Sequence, residues 1–204
     1  MVQPSPAVLT EVIESTAIIR FNRPAERNPL SLATLQELKT TLAALLARDD
    51  IKVIIFTGTG DAFLSGANIR ELSQLDTHSA LGFAKFGQNI FQTIADAEQI
   101  TIAAINGYCM GGGLDLALAC DIRVASEAAV FSHPGTRLGI ITGWGGTQRL
   151  PRIINKATAL ELILTARRLT AREALSLGLI TNVSDSPLNQ AMTIARSSLK
   201  RSNS

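Results

Sequence analysis

The chain has 204 residues, 46% of them apolar and 4% aromatic, with a formal net charge of +2. That length suits one sizeable α/β domain whose core is filled by aliphatic and alanine side chains, and it argues against disorder. The balanced charge and the lack of any run of five lysines or arginines argue against nucleic acid as the main partner, and no stretch has the length of a membrane span.

Met1 to Pro6 shows no charged start followed by an apolar run, so a soluble cytoplasmic protein is expected. Cys109 and Cys120 sit in apolar surroundings with no CxxC and no histidine nearby. They read as small buried residues of a reducing compartment, and no metal site is expected.

In chain order, Val8–Glu14 and Ala17–Asn22 read as a hairpin turning at Ser15-Thr16. Asn22-Arg23-Pro24 breaks the second strand. Ser31 is placed to cap a helix from Leu32 to Arg48, where leucines recur at helical spacing. Lys52–Thr57 is a near-continuous apolar run, the pattern of a strand covered on both faces. Ala62–Asn68 reads as a loop of small residues, followed by a helical stretch from Ile69 to Gln74. Asp76–Ser79 is a polar interruption, with His78 read as solvated, and Ala80–Ala97 is a second amphipathic helix.

Thr101–Ile105 is a further strand, and Asn106-Gly107 turns the chain. Gly111, Gly112 and Gly113 then lead into a buried helix through Ala119. Ile122–Ala125 and Ala129–Ser132 read as strands. The glycine-rich segment Gly139–Gly146 leads to a helical start at Thr147 that Pro151 tightens. Helices over Ala157–Ala166 and Ala171–Leu177, an extended piece over Leu179–Val183 and a helix over Ser186–Leu199 follow, with Ser197–Ser204 expected to fray. Strands alternating with helices argue for parallel βα units with ligand contacts at the carboxyl ends of strands. No internal sequence repeat is visible. Residues 1–185 are expected to form the core domain and 186–204 a helix and tail.

The stretch Ile102–Asp121 draws most attention. Glycines at a helix start give close access to backbone N–H groups at the positive end of the helix dipole, a place suited to an anion. They equally suit tight packing of helix on strand. Asp115, in the first turn, is an acid candidate or simply a dipole-stabilised carboxylate. Parallel strands would bring Ser65-Gly66-Ala67-Asn68 and Gly111-Gly112-Gly113 to one sheet edge. Two N–H groups converging there on one oxygen would form an oxyanion hole.

Along almost its whole length the chain resembles the crotonase superfamily, the enoyl-CoA hydratase/isomerase family. The likeness rests on Asn22-Arg23-Pro24 with Asn28, Phe56-Thr57-Gly58, Ala62 through Ile69, Asn106-Gly107, Gly111 through Asp121, Leu138-Gly139-Ile140 and Gly145 through Leu150. The resemblance implies a spiral of ββα units that binds acyl-CoA thioesters, with coenzyme A as part of the substrate and no separate cofactor. It implies that Ala67 and Gly112 donate their N–H groups to the thioester oxygen. It lays CoA along Glu26, Arg27, Ser65, Ala67, Asn68 and Ile69, beside Gly66 and Gly111, and a homotrimer or hexamer is implied as well. Arg27 is a partner for a CoA phosphate or a solvated loop charge. Asn68 stands where many relatives have Asp.

Two family positions that usually hold carboxylates correspond here to Asp115 and Gly135, and no Asp or Glu occurs from Ala128 to Leu160. Losing a general acid or base costs about 10²–10⁴-fold, so two-carboxylate hydration is expected to be weak or absent. Isomerisation through an enolate, with Asp115 as the single acid/base, survives this loss better. His133, two residues from Gly135, titrates near neutrality when unperturbed and in an extended strand would point with Gly135; it is a candidate for a chemical role at a position not usually catalytic in relatives. Trp144 is a wall of the acyl pocket or a core residue. Family members usually continue for several more helices, so an open acyl site or altered assembly is expected. The alternative function is a non-catalytic acyl-CoA-binding or assembly subunit.

Overall fold

The computed structural model describes residues 5–202; Met1–Pro4, Asn203 and Ser204 lie outside them. In chain order the elements begin β1 Val8–Ile13, β2 Thr16–Phe21, β3 Pro29–Leu30, α1 Leu32–Leu46, β4 Val53–Gly58, β5 Ala62–Leu64, β6 Gly66–Ala67, α2 Ile69–Leu72 and α3 Thr77–Ala95. They continue as β7 Ile100–Ile105, β8 Tyr108–Met110, α4 Gly112–Ala119, β9 Ile122–Ala125, β10 Val130–Ser132 and α5 Gly146–Ile153. The last are α6 Lys156–Thr165, β11 Leu169–Thr170, α7 Ala171–Ser176, β12 Asn182–Val183 and α8 Pro187–Ser202.

The main sheet has the order β1-β2-β4-β7-β9-β12, parallel from β2 to β12, with β1 antiparallel at its edge. A second sheet, β11-β10-β8-β5, is parallel through β10, β8 and β5. Each of three successive passages leaves a strand of the main sheet, enters a strand of the second and then turns into helix: β4 to β5, β7 to β8, β9 to β10. This is a spiral of ββα units. The repetition lies in the backbone path, which is why no sequence repeat marks it.

The apolar runs have the period that two-sided burial demands. In β4, Ile54 and Phe56 face the large core between sheets and helices, while Val53 and Ile55 face the other side. There Ala191 and Ala195 of α8 complete a second, smaller cluster. Alternation within a continuous apolar strand is the mark of a sheet sandwiched on both faces.

Several expected boundaries move, each for a local reason. The hairpin turns at Glu14-Ser15, where Glu14 takes φ +54°, and Thr16 is already in strand β2. Ala62–Asn68 holds the short strands β5 and β6, and Tyr108–Met110 is a strand where none was expected. The polar segment Asp76–Ser79 is the capping box of α3, with Asp76 accepting from the Ser79 N–H, so that helix starts at Thr77. Helix α5 runs through Pro151, and α8 extends past Leu199 to Ser202. Of the segment Leu179–Val183 only Asn182–Val183 is strand.

Candidate functional site

Three neighbouring parallel strands of the second sheet end level with one another. Leu64 pairs with Cys109, Phe131 with Cys109, and Ser132 with Met110. The residues that follow each strand, Ser65-Gly66-Ala67, Gly111-Gly112 and His133-Pro134-Gly135, therefore meet at one edge. Ligand sites in parallel sheets lie at this edge. The two glycine loops touch: a methyl group on Gly66 would stand 2.9 Å from the Met110 carbonyl oxygen and 3.4 Å from the Gly112 nitrogen. Gly66 also has φ +99°, so both conformation and crowding demand glycine there.

The meeting point is the floor of a cleft of about 260 Å³. Of the residues singled out from the sequence, Ser65, Gly66, Ala67, Ile69, Gly111, Gly112, Asp115, His133, Gly135 and Trp144 line it. Glu26, Arg27 and Asn68 do not. Arg27 is exposed, pairs with Asp61 at 3.4 Å and lies over the Tyr108 ring at 4.8 Å, although its backbone carbonyl accepts from the Ser65 N–H beside the cleft. Asn68 caps α2, its side chain accepting from the Arg70 N–H. Glu26 is exposed on a 3₁₀ turn and His78 on the first turn of α3.

Gly112 is the first residue of α4, so its N–H has no partner within the helix. Asp115 follows three residues later and so projects from the same face. Its side chain is buried completely. Oδ2 accepts from the Thr142 hydroxyl and, at 3.2 Å, from the Trp144 N–H. Oδ1 accepts no well-formed hydrogen bond; the Gly146 backbone packs beside it, its N–H adding a downward pull on the carboxyl, and Nε2 of His133 stands 3.6 Å away. Burial pushes the Asp115 carboxyl up to about 7, against the downward pull of the Thr142 hydroxyl, the Trp144 amide and the Arg149 charge. Burial lowers the His133 imidazole to about 4. Cys109 and Cys120 are buried, and burial raises both thiols, which suits packing rather than nucleophilic chemistry.

Gly135 is the second residue of a 3₁₀ turn over Pro134–Leu138, and its carbonyl accepts from the Ile140 N–H. A methyl group there would meet the Ile140 carbonyl oxygen at 2.9 Å. The returning loop has taken the room a carboxylate would need.

Trp144 is both wall and core. Only 4% exposed, it presses its indole between two glycines of different helices, Gly87 and Gly112. Phe83 and Phe91 contact it with ring centroids at 5.2 and 5.5 Å. Sequence reading missed Thr142, which holds the Asp115 carboxyl, and the apolar wall formed by Leu72, Leu75, Phe83 and Ile140. A hydroxyl inside the glycine-rich segment was the one available signal for Thr142. It also missed Arg123, buried under α4 and donating to the Ala117, Cys120 and Leu179 carbonyls. That cation neutralises the carbonyl end of the helix.

Among the described residues no helix is long and apolar enough to cross a membrane. The family model described as enoyl-CoA hydratase/isomerase matches residues 11–203. A crotonyl-CoA hydratase of Syntrophomonas wolfei is 39% identical over 177 residues, covering 86% of this chain and 68% of that protein. A short-chain-enoyl-CoA hydratase of Clostridium acetobutylicum is 37% identical over 177 residues, with the same coverage of 86% and 68%. The chain thus spans about two thirds of the length of such relatives. The crystal structure of an enoyl-CoA hydratase from Bacillus anthracis superposes with a TM-score of 0.90 at 36% identity, covering 94% of this chain and 76% of that one.

Proposed function

Because this chain belongs to the enoyl-CoA hydratase/isomerase family, we propose that it acts on an acyl-CoA thioester whose carbonyl oxygen is held by the N–H groups of Ala67 and Gly112. Asp115 is the group that moves the proton. In carboxylate form it takes a hydrogen from the α-carbon as a proton, and the C–H electron pair passes into the thioester as an enolate. The two N–H groups stabilise the oxygen as charge develops on it; one such donor is worth about 10²–10³-fold in rate. Returning the proton to a different carbon of the conjugated system isomerises the double bond, with no second carboxylate needed.

One observation carries this reading: the unpartnered, fully buried Oδ1 of Asp115 on the floor of an apolar cleft, one helical turn from the Gly112 N–H. A carboxyl pushed up to about 7 is available in both protonation states near neutral pH, as a proton carrier requires. Coenzyme A enters as part of the substrate, and the assembly proposed is a homotrimer or hexamer, open to measurement by light scattering.

Turnover of enoyl-, dienoyl- and 3-hydroxyacyl-CoA by wild type and Asp115→Asn tests the assignment. The variant is expected to lose about 10²–10⁴-fold in kcat. Equal turnover by both proteins removes Asp115 from the chemistry. The filled position at Gly135 favours a second reading, an acyl-CoA-binding subunit without turnover. Calorimetric binding of thioesters by a protein that turns over none of the panel would select it.

A further inference from the structure

The floor of the cleft holds more proton-handling capacity than one aspartate. Among the described residues three buried side-chain polar atoms lack a hydrogen-bond partner, and all three are here: Oδ1 of Asp115 and both ring nitrogens of His133. A buried polar atom left unpaired is costly and uncommon in a folded protein, so their gathering in one place calls for a chemical use. The two side chains come from different elements, α4 and the turn after β10, and both line the cleft. Their 3.6 Å separation is too long for a hydrogen bond and short enough for one small molecule or substrate atom to touch both. No carboxylate competes for this place. The facing loop offers Thr142 and the Trp144 N–H, already bound to Oδ2, and the Gly146 backbone, where the absence of a side chain leaves room beside Oδ1 and the His133 ring, while Arg149 of α5 donates to the Trp144 carbonyl and to Gln92.

We propose that His133 is the second proton-handling group of this site, in the place of a second carboxylate, and that with Asp115 it makes the protein a hydratase of enoyl thioesters. The proposal rests on the acyl-CoA reading above. Burial holds the imidazole neutral, so one ring nitrogen carries a lone pair, Nε2 in the tautomer protonated at Nδ1, and the raised Asp115 carboxyl is available in its acid form near neutral pH.

In the addition, a water oxygen bonds to the β-carbon while His133 Nε2 takes one water proton. The π electrons of the double bond pass toward the thioester as an enolate. Asp115, in its acid form, then releases its proton to the α-carbon, and the O–H electron pair stays on the carboxylate. One water has added across the double bond, and nothing is oxidised or reduced. An imidazolium now faces a carboxylate, and passage of one proton from Nε2 to Oδ1 restores both groups.

The test measures hydration of crotonyl-CoA, exchange of the α-hydrogens of butyryl-CoA into deuterated water, and calorimetric binding of butyryl-CoA. Wild type is compared with His133→Gln and His133→Asn. The expected result is hydration by wild type and a kcat lower by about 10²–10⁴-fold in both variants, with thioester binding retained and thermal stability held or raised. A purely structural histidine would lower stability and leave kcat of the folded fraction near wild type. Hydration by either folded variant within about tenfold of wild type overturns the role of His133, as does failure of both variants to fold. Wild type that exchanges α-hydrogens without hydrating also overturns it and leaves the acyl-CoA reading standing. Wild type that does neither overturns both.

Discussion

Asp115 and His133 are displaced in opposite directions by one cause, burial, and this makes the pH dependence of stability a test of their burial independent of any assay. Between about pH 4 and 7 the folded Asp115 keeps a proton that the unfolded chain, with its carboxyl at 3.8, has lost. That contribution is complete at low pH and is lost as pH rises toward 7. Between about pH 4 and 6.5 the folded His133 lacks a proton that the unfolded chain binds, so its contribution is present above 6.5 and lost as pH falls toward 4. In the shared window the proton difference between unfolded and folded states is about zero, and the two slopes cancel. Denaturant unfolding of Asp115→Asn should reveal stability rising with pH at about 1.4 kcal/mol per unit, and His133→Gln the opposite slope. Parallel curves for wild type and both variants would show that neither group is shifted. A related expectation concerns Gly135→Glu. Its Cβ would stand 2.9 Å from the Ile140 carbonyl, so the substitution should cost about 1–3 kcal/mol in a urea melt and should not create a two-carboxylate hydratase.

At the scale of elements, α3 carries its own control experiment. Gly82 and Gly87 lie in one helix, the first with nothing within 4 Å of where a methyl group would stand, the second with the Trp144 indole already occupying that point. Gly82→Ala should stabilise by about 0.5–1 kcal/mol, because alanine loses less backbone freedom on folding. Gly87→Ala should destabilise by about 1–3 kcal/mol, because the indole has nowhere to go. Equal effects in thermal melts would mean that the indole does not sit between the helices. The same helix shows how far the sequence is legible. Its amphipathic body is readable, but its first turn reads as a break, since Asp76 and Ser79 look like loop residues until they cap each other. Helix α1 is plain because Ser31 and the leucine spacing agree, and β4 and β7 are plain because a strand buried on both faces is apolar throughout. The strands β5, β6 and β8, at two or three residues, are too short for any alternation to register. They are nonetheless what lines up the loops of the site. The glycine pair and Asp115 are visible in one contiguous stretch, whereas Thr142 reaches Asp115 across 27 residues and depends on how the later loop returns.

The whole molecule places its single tryptophan where a ligand must report itself. Helices α3 and α4 converge on Trp144, which forms one wall of the cleft, with Leu72, Leu75, Phe83 and Ile140 completing the apolar lining. On the acyl-CoA reading proposed above, a saturated acyl chain entering from the thioester end would pass along this wall. The tryptophan emission should therefore change on titration with acyl-CoA and much less with coenzyme A alone, which brings no acyl chain to the Trp144 wall. Each methylene that leaves water contributes about 0.8 kcal/mol, roughly a fourfold gain in affinity, so dissociation constants should fall stepwise with chain length until the cleft is full. The length at which the series levels off measures the depth of the cleft. Affinity independent of chain length would mean that the apolar lining does not hold the acyl group. A Trp144→Phe variant, which keeps an aromatic wall between Gly87 and Gly112, should bind the same series by calorimetry with the optical signal gone.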